Sequence, residues 1–115
     1  MAQHVFEARL RQVSGKVIID LHGEINAFAD ADLDEAFTQA EATGRPDILL
    51  NFSAVSYINS TGIALIVGLL ARARKSKRRL LVCGLSDHYI EIFQFTRLTD
   101  YMIIYPDEVE ALAAA

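Results

Sequence analysis

The sequence predicts an α/β fold: a mixed, mostly parallel β-sheet with about four helices, in the order β-β-α-β-α-β-α-β-α. Three observations carry this. Short apolar runs rich in β-branched residues alternate with longer stretches whose apolar residues recur every three or four positions. The first two extended runs are separated only by Ser14-Gly15, the mark of a hairpin. The chain has 115 residues, 52% hydrophobic and 23% charged, enough apolar material for one core and too little charge for disorder. One continuous domain over residues 1–115 is expected, since no linker, repeat or low-complexity segment interrupts it.

The elements follow in order. Val5 to Gln12 alternates loosely, and Lys16 to Leu21 is richer in β-branched residues, giving an antiparallel pair. Gly23 breaks the extended pattern, and a helix is predicted over Ala29 to Thr43. Its apolar face is Leu33, Ala36, Phe37 and Ala40, and Asp30, Asp32, Asp34 and Glu35 crowd the end where the helix dipole favours negative charge. Gly44 and Pro46 close it. Ile48 to Phe52 is nearly unbroken apolar sequence, as in a strand covered on both faces. A second helix is expected from Thr61 to Lys77, then a buried strand from Leu80 to Cys83. Ser86 caps a third helix that carries Ile90, Phe93 and Leu98 inward. Tyr101 to Tyr105 is a last strand, and Pro106-Asp107-Glu108 opens a short helix with Val109 and Leu112 three apart. Strands separated by helices run parallel, through right-handed crossovers.

Composition narrows the function. Cys83 is the sole cysteine, so no disulfide can form within the chain, and its apolar neighbours suit a packed core thiol in a reducing compartment. The start Met1-Ala2-Gln3-His4 lacks the layout of a secretory signal. The apolar run Ile63 to Ala71 falls far short of the roughly 20 residues that span a bilayer. A soluble, cytoplasmic protein without a membrane role is expected. The net charge of -4 argues against a nucleic-acid partner. Arg72, Arg74, Lys75, Lys77, Arg78 and Arg79 hold six of the eleven basic residues. They could bind an acidic partner, but cations at a helix C-terminus also complement the dipole, and their lack of interleaved aromatics favours that structural role.

Signs of catalysis are missing. His4, His22 and His88 are scattered, and none stands at metal-ligand spacing with another or with Cys83, so no metal is expected. There is no Gly-rich phosphate loop and no nucleophile elbow, and nothing supplies a base for Ser60. No catalytic residue and no cofactor are predicted, and the protein is read as a non-enzyme.

The segment Asn51 to Ile63 holds the strongest signal. It leaves a buried strand, turns through small polar residues and enters a helix with no charge until Arg72. Asn59 and Ser60 are good capping residues, and the first amides of that helix would accept a phosphate on Ser60 or Thr61. Gly62 in the first turn costs ~1 kcal/mol against alanine unless something must approach closely there. An ordinary helix cap and a functional site both fit these residues.

The same segment resembles the signature of the STAS domain family, named for sulfate transporters and anti-sigma-factor antagonists. In that family the stretch reads Asp-hydrophobic-Ser, then aromatic-hydrophobic-Asp-Ser-(Ser or Thr)-Gly-(Leu or Ile). A Gly-Glu-hydrophobic-Asp turn after the second strand is matched by Gly23-Glu24-Ile25-Asn26. The resemblance implies an anti-sigma-factor antagonist that works by partner switching. Unmodified, it would bind an anti-sigma factor that is also a serine-protein kinase; phosphorylation would release it, and a PP2C-type phosphatase would reset it. It implies Ser60 as phosphoacceptor, Thr61 as second choice, and a partner-binding face of Gly23, Glu24, Asn26, Tyr57, Ile58, Asn59, Ser60, Thr61 and Gly62. Asn59 and Asn26 depart from the pattern, each replacing an Asp, and Arg97 stands where members often carry Gly. The alternative is an unphosphorylated STAS scaffold in a multiprotein signalling assembly. An aspartyl-phosphate receiver is excluded by the missing acceptor carboxylate, because Phe52 and Ser53 follow the central strand.

Overall fold

In the computed structural model, residues 6–114 are described. Strands β1 (Glu7–Val13), β2 (Lys16–Ile25), β3 (Asp47–Ile58), β4 (Arg79–Cys83) and β5 (Ile103–Tyr105) form one sheet in that spatial order. β1 pairs antiparallel with β2, and every later pairing is parallel. The hairpin turns at Ser14 and Gly15, both left-handed (φ 52° and 79°), the pair of positive angles that a tight hairpin uses. Helices α1 (Asp30–Ala42), α2 (Ser60–Lys75), α3 (Asp87–Phe95) and α4 (Glu108–Ala113) complete the expected order. Val5, placed in the first strand by its sequence, lies outside the described residues.

Strand alternation divides the core in two. Val17, Ile19, Ile48, Leu50, Phe52 and Val82 point to the face covered by α1, α2 and α3. Ile18, Leu49, Leu81 and Cys83 point to the other, which, among the described residues, α4 covers through Ala111 and Leu112. Of the two apolar residues singled out in α4, Leu112 packs inward and Val109 stays exposed, because Ala111 takes the buried position. Cys83 is a packed core thiol, its pKa pushed up to about 11 by burial.

The main departure from expectation is the length of β2 and β3. Neither Gly23 nor Ser53 ends its strand. The two run on as a two-stranded ribbon to Ile25 and Ile58, beyond the end of β4, with register shifts near His22 and Glu24. β3 takes the extra residues. Such bulges raise the local twist, and Gly23 absorbs it at φ 102°. This ribbon carries the signature segment out of the sheet.

The basic cluster is mostly occupied internally. Arg72 bonds Asp34 and Glu41, Arg78 donates to the Glu41 carbonyl, and Arg79 forks onto Asp47. Arg74 lies over the Tyr101 ring. Arg97, at a position where glycine is at ease, is left-handed (φ 64°).

Candidate functional site

The ends of β2 and β3 build the site. Ile25 pairs with Ile58 in register, so Asn26 and Asn59 leave the ribbon side by side. Each then starts a helical segment. Asn26 Oδ1 accepts the Phe28 amide at 2.9 Å, capping a 3-10 turn over Ala27–Ala29 that leads into α1. Asn59 Oδ1 accepts the Gly62 amide at 2.8 Å, capping α2. Asparagine therefore satisfies orphan amides at both mouths, as a carboxylate would, but without its charge.

Two contacts fix the height of α2 above the ribbon. The Asn59 amide donates to the Ile25 carbonyl at 3.2 Å. Gly62, one turn on, sits against that same carbonyl. A Cβ at Gly62 would overlap the Ile25 oxygen and lie 2.8 Å from its carbon and 2.9 Å from Ile58 Cγ2. The close approach that makes glycine worth its cost is thus an internal one. On the far side the Ile58 amide, beyond the reach of β4, donates to the Tyr89 hydroxyl at 2.9 Å.

Ser60, the first residue of α2, is exposed, and so is Thr61. Of the nine residues that the sequence nominates for partner contact, Tyr57, Ser60 and Thr61 present open surface. Gly23, Glu24, Asn26 and Asn59 are half-buried, with Glu24 opposite Tyr57 in register. Ile58 (4% exposed) and Gly62 are buried, so they position the site from behind instead of forming its surface.

Sequence reasoning missed the opposite wall. α3 brings His88, Tyr89, Ile92 and Thr96 across from Tyr57, Ser60 and Ile63, enclosing an open groove of about 400 Å³. Phe95 and Phe28, each 90% exposed, add aromatic surface on α3 and on the turn after β2. The signal available in the sequence was that this helix carries Tyr89, Ile92 and Phe95 beyond its inward set of Ile90 and Phe93.

Asn51 was also missed as a departure from the Asp-hydrophobic-Ser stretch. Its amide nitrogen donates to Asp20 Oδ1 at 2.9 Å, and its carbonyl accepts the Ser53 amide and hydroxyl. Asp20 is held in turn by Arg11, which also reaches Glu108 on α4. These hydrogen bonds keep the Asp20 carboxyl below its ordinary value, Arg11 contributing most and burial opposing. An aspartate at position 51 would set carboxylate against carboxylate. Asn51→Asp should cost about 2 kcal/mol at neutral pH, and less as the pH falls, because the pair then shares a proton at a raised pKa. Urea titrations at pH 5 and pH 8 measure this; an equal cost at both would refute it.

A STAS domain profile matches residues 7–111. The chain belongs to the STAS domain family. It is 33% identical over 84 residues to the anti-sigma-B factor antagonist of Staphylococcus aureus (strain NCTC 8325 / PS 47), covering 73% of this chain and 78% of that one. The Staphylococcus epidermidis protein of the same name is 30% identical over a stretch of the same length. Among solved structures, an anti-sigma factor antagonist from Mycobacterium paratuberculosis superposes with a TM-score of 0.83 at 20% identity, covering 98% of this chain and 96% of that one. The phosphorylated form of the Bacillus cell fate determinant SpoIIAA gives 0.70 at 25%, covering 92% and 96%. The mixed five-stranded sheet with its four helices is therefore the STAS fold. Among the described residues, no helix is long and apolar enough to cross a membrane, and no cluster of His, Cys, Asp and Glu could hold a metal ion.

Proposed function

We propose that this STAS protein is an anti-sigma-factor antagonist whose docking face is centred on Ser60. It would bind an anti-sigma factor that is also a serine-protein kinase, be released when Ser60 is phosphorylated, and be reset by a PP2C-type phosphatase. The observation that carries the reading is the placement of the Ser60 hydroxyl. It is exposed on the first residue of a capped helix, beside an apolar groove, on a surface that the fold has built rigidly from behind.

The physics of that position suits a charge switch. Phosphorylation adds about -1.5 to -2 charge. At a helix N-terminus the dipole and the free amides tolerate that charge, so the fold survives modification. A partner pressed on the same spot must desolvate the phosphate or face it with its own carboxylates. A penalty of about 1.4 kcal/mol already weakens binding tenfold. The switch acts on the contact and leaves the domain intact.

The test is to incubate the protein with its cognate kinase and ATP, map phosphate by mass spectrometry, and measure kinase binding by wild type, Ser60→Ala and Ser60→Glu. Phosphate on Ser60 is expected, with Ser60→Glu binding at least tenfold more weakly at an unchanged melting temperature. The neutral caps Asn26 and Asn59 favour a second reading, a scaffold that binds without being modified. An unphosphorylated Ser60, with equal binding by wild type and Ser60→Glu, would select it.

A further inference from the structure

The outward face of α2 is unlike a solvent-facing helix surface. Ser60, Ala64, Val67, Gly68 and Ala71, each three or four residues from another of the set, are all exposed, Val67 at 43%. No charged residue interrupts them before Arg72. Exposed helix faces normally carry charge. Gly68 sharpens the anomaly. A Cβ added there would meet nothing within 4 Å, so no internal contact requires glycine in mid-helix, in contrast to Gly62.

A groove runs alongside. α1 and α2 enclose it, with Leu33, Leu65, Leu69 and Gly68 in its lining and Asp30 and Asp34 on its α1 wall. Arg72 bonds Asp34 at 2.6 Å but also Glu41 at 2.8 Å, one cation against two carboxylates. The rim therefore stays negative beside a smooth apolar floor.

We infer that this groove and the bare face of α2 seat a helix of the protein partner that docks at Ser60, with small or apolar side chains against Gly68 and basic ones towards Asp30. The inference rests on the docking reading above, because the face is continuous with Ser60 along one side of α2. A bulky side chain at 68 would hold such a helix off the floor, and a cation at 64 would place charge in the dry part of the contact. Acidic Asp30 meets basic partner groups, which makes binding salt-dependent.

The experiment measures binding of the cognate anti-sigma factor kinase by calorimetry for wild type, Gly68→Leu, Ala64→Arg, Asp30→Asn and Ser60→Glu, with Val109→Arg on α4 as control. Circular dichroism melts confirm that each variant folds; a Cβ added at position 68 meets nothing within 4 Å. Gly68→Leu and Ala64→Arg are expected to weaken binding at least tenfold, Val109→Arg to leave it unchanged, and Asp30→Asn to flatten its salt dependence. Loss with Ser60→Glu but full binding by Gly68→Leu and Ala64→Arg would overturn the groove while leaving the docking reading intact. Failure of wild type to bind would remove both. A wild-type dimer that Gly68→Leu converts to monomer, seen by light scattering, would make a second copy the occupant and likewise overturn it.

Discussion

Gly62→Ala is expected to destabilise the protein by about 3 kcal/mol, the upper end for overpacking, and to lower its melting midpoint by roughly 10 °C. The added methyl would overlap the Ile25 carbonyl oxygen and press on the Ile58 side chain. Neither neighbour can yield cheaply. The Ile25 carbonyl is bonded to the Asn59 amide, and Ile58 is paired in the ribbon and buried in the core. To relieve the overlap, α2 must lift at its first turn, and Ser60 lifts with it. Partner binding should therefore fall further than the loss of folded protein explains. Gly68→Ala is the matched contrast. It is the same substitution in the same helix, but it meets open space, so helix propensity alone predicts a gain of about 1 kcal/mol. Thermal and urea melts of the two variants decide the matter. A Gly62→Ala protein as stable as wild type would mean that α2 does not rest on Ile25 as described.

The contrast between the two glycines shows where the sequence was legible. From residues alone, Gly62 could be flagged as costly in a first helical turn, but the atom approaching it could not be named. That atom belongs to Ile25, far away in the chain, and the contact exists only because β2 and β3 run side by side past the rest of the sheet. The strand extension itself was hidden. Ser53 to Ile58 mixes the small residues Ser53, Ala54 and Ser56 with Val55, Tyr57 and Ile58, and beyond β4 it is paired on one side only, so it carries no continuous buried apolar run to announce a strand. Elements with a strong signal of their own were readable: the Ser14-Gly15 hairpin, the Leu33, Ala36, Phe37 and Ala40 stripe, and Ser86 as a cap. The same holds for the site. The residues of the signature were evident as a linear string, while α3 contributes its wall through Tyr89 and Ile92, which only tertiary packing brings there. Asn51 makes sense only once Asp20 is seen beside it.

Asp47→Asn should prove comparably severe at the opposite end of the sheet, at about 3 kcal/mol, the low end for breaking a buried ion pair. Asp47 opens β3 at 8% exposure, with Lys16 opening β2 at 9% and Arg79 opening β4. Arg79 forks onto the carboxylate at 2.8 and 2.7 Å, and the Lys16 ammonium stands 3.8 Å away. An amide keeps the shape but leaves Lys16 buried without its counter-ion, whereas Arg79, half exposed, can turn to water. The hydrogen bonds from Arg79, with the charges of Arg79 and Lys16, hold the Asp47 carboxyl below its ordinary 3.8 against the opposing effect of burial. A carboxylate with a depressed pKa stabilises the fold above its unfolded value and loses that contribution as the pH falls through the folded one. The gap between wild type and Asp47→Asn should therefore be full at pH 7 and shrink below about pH 4. Asp20, depressed for a similar reason by Arg11, would leave the variant some acid sensitivity of its own. Urea unfolding from pH 3 to pH 7 tests this, and a gap that stays constant across that range would show that Asp47 acts through packing and not through charge. Because the cluster lies at the start of the strands and Ser60 follows their ends, partner binding by the folded fraction should be untouched, which separates it from Gly62.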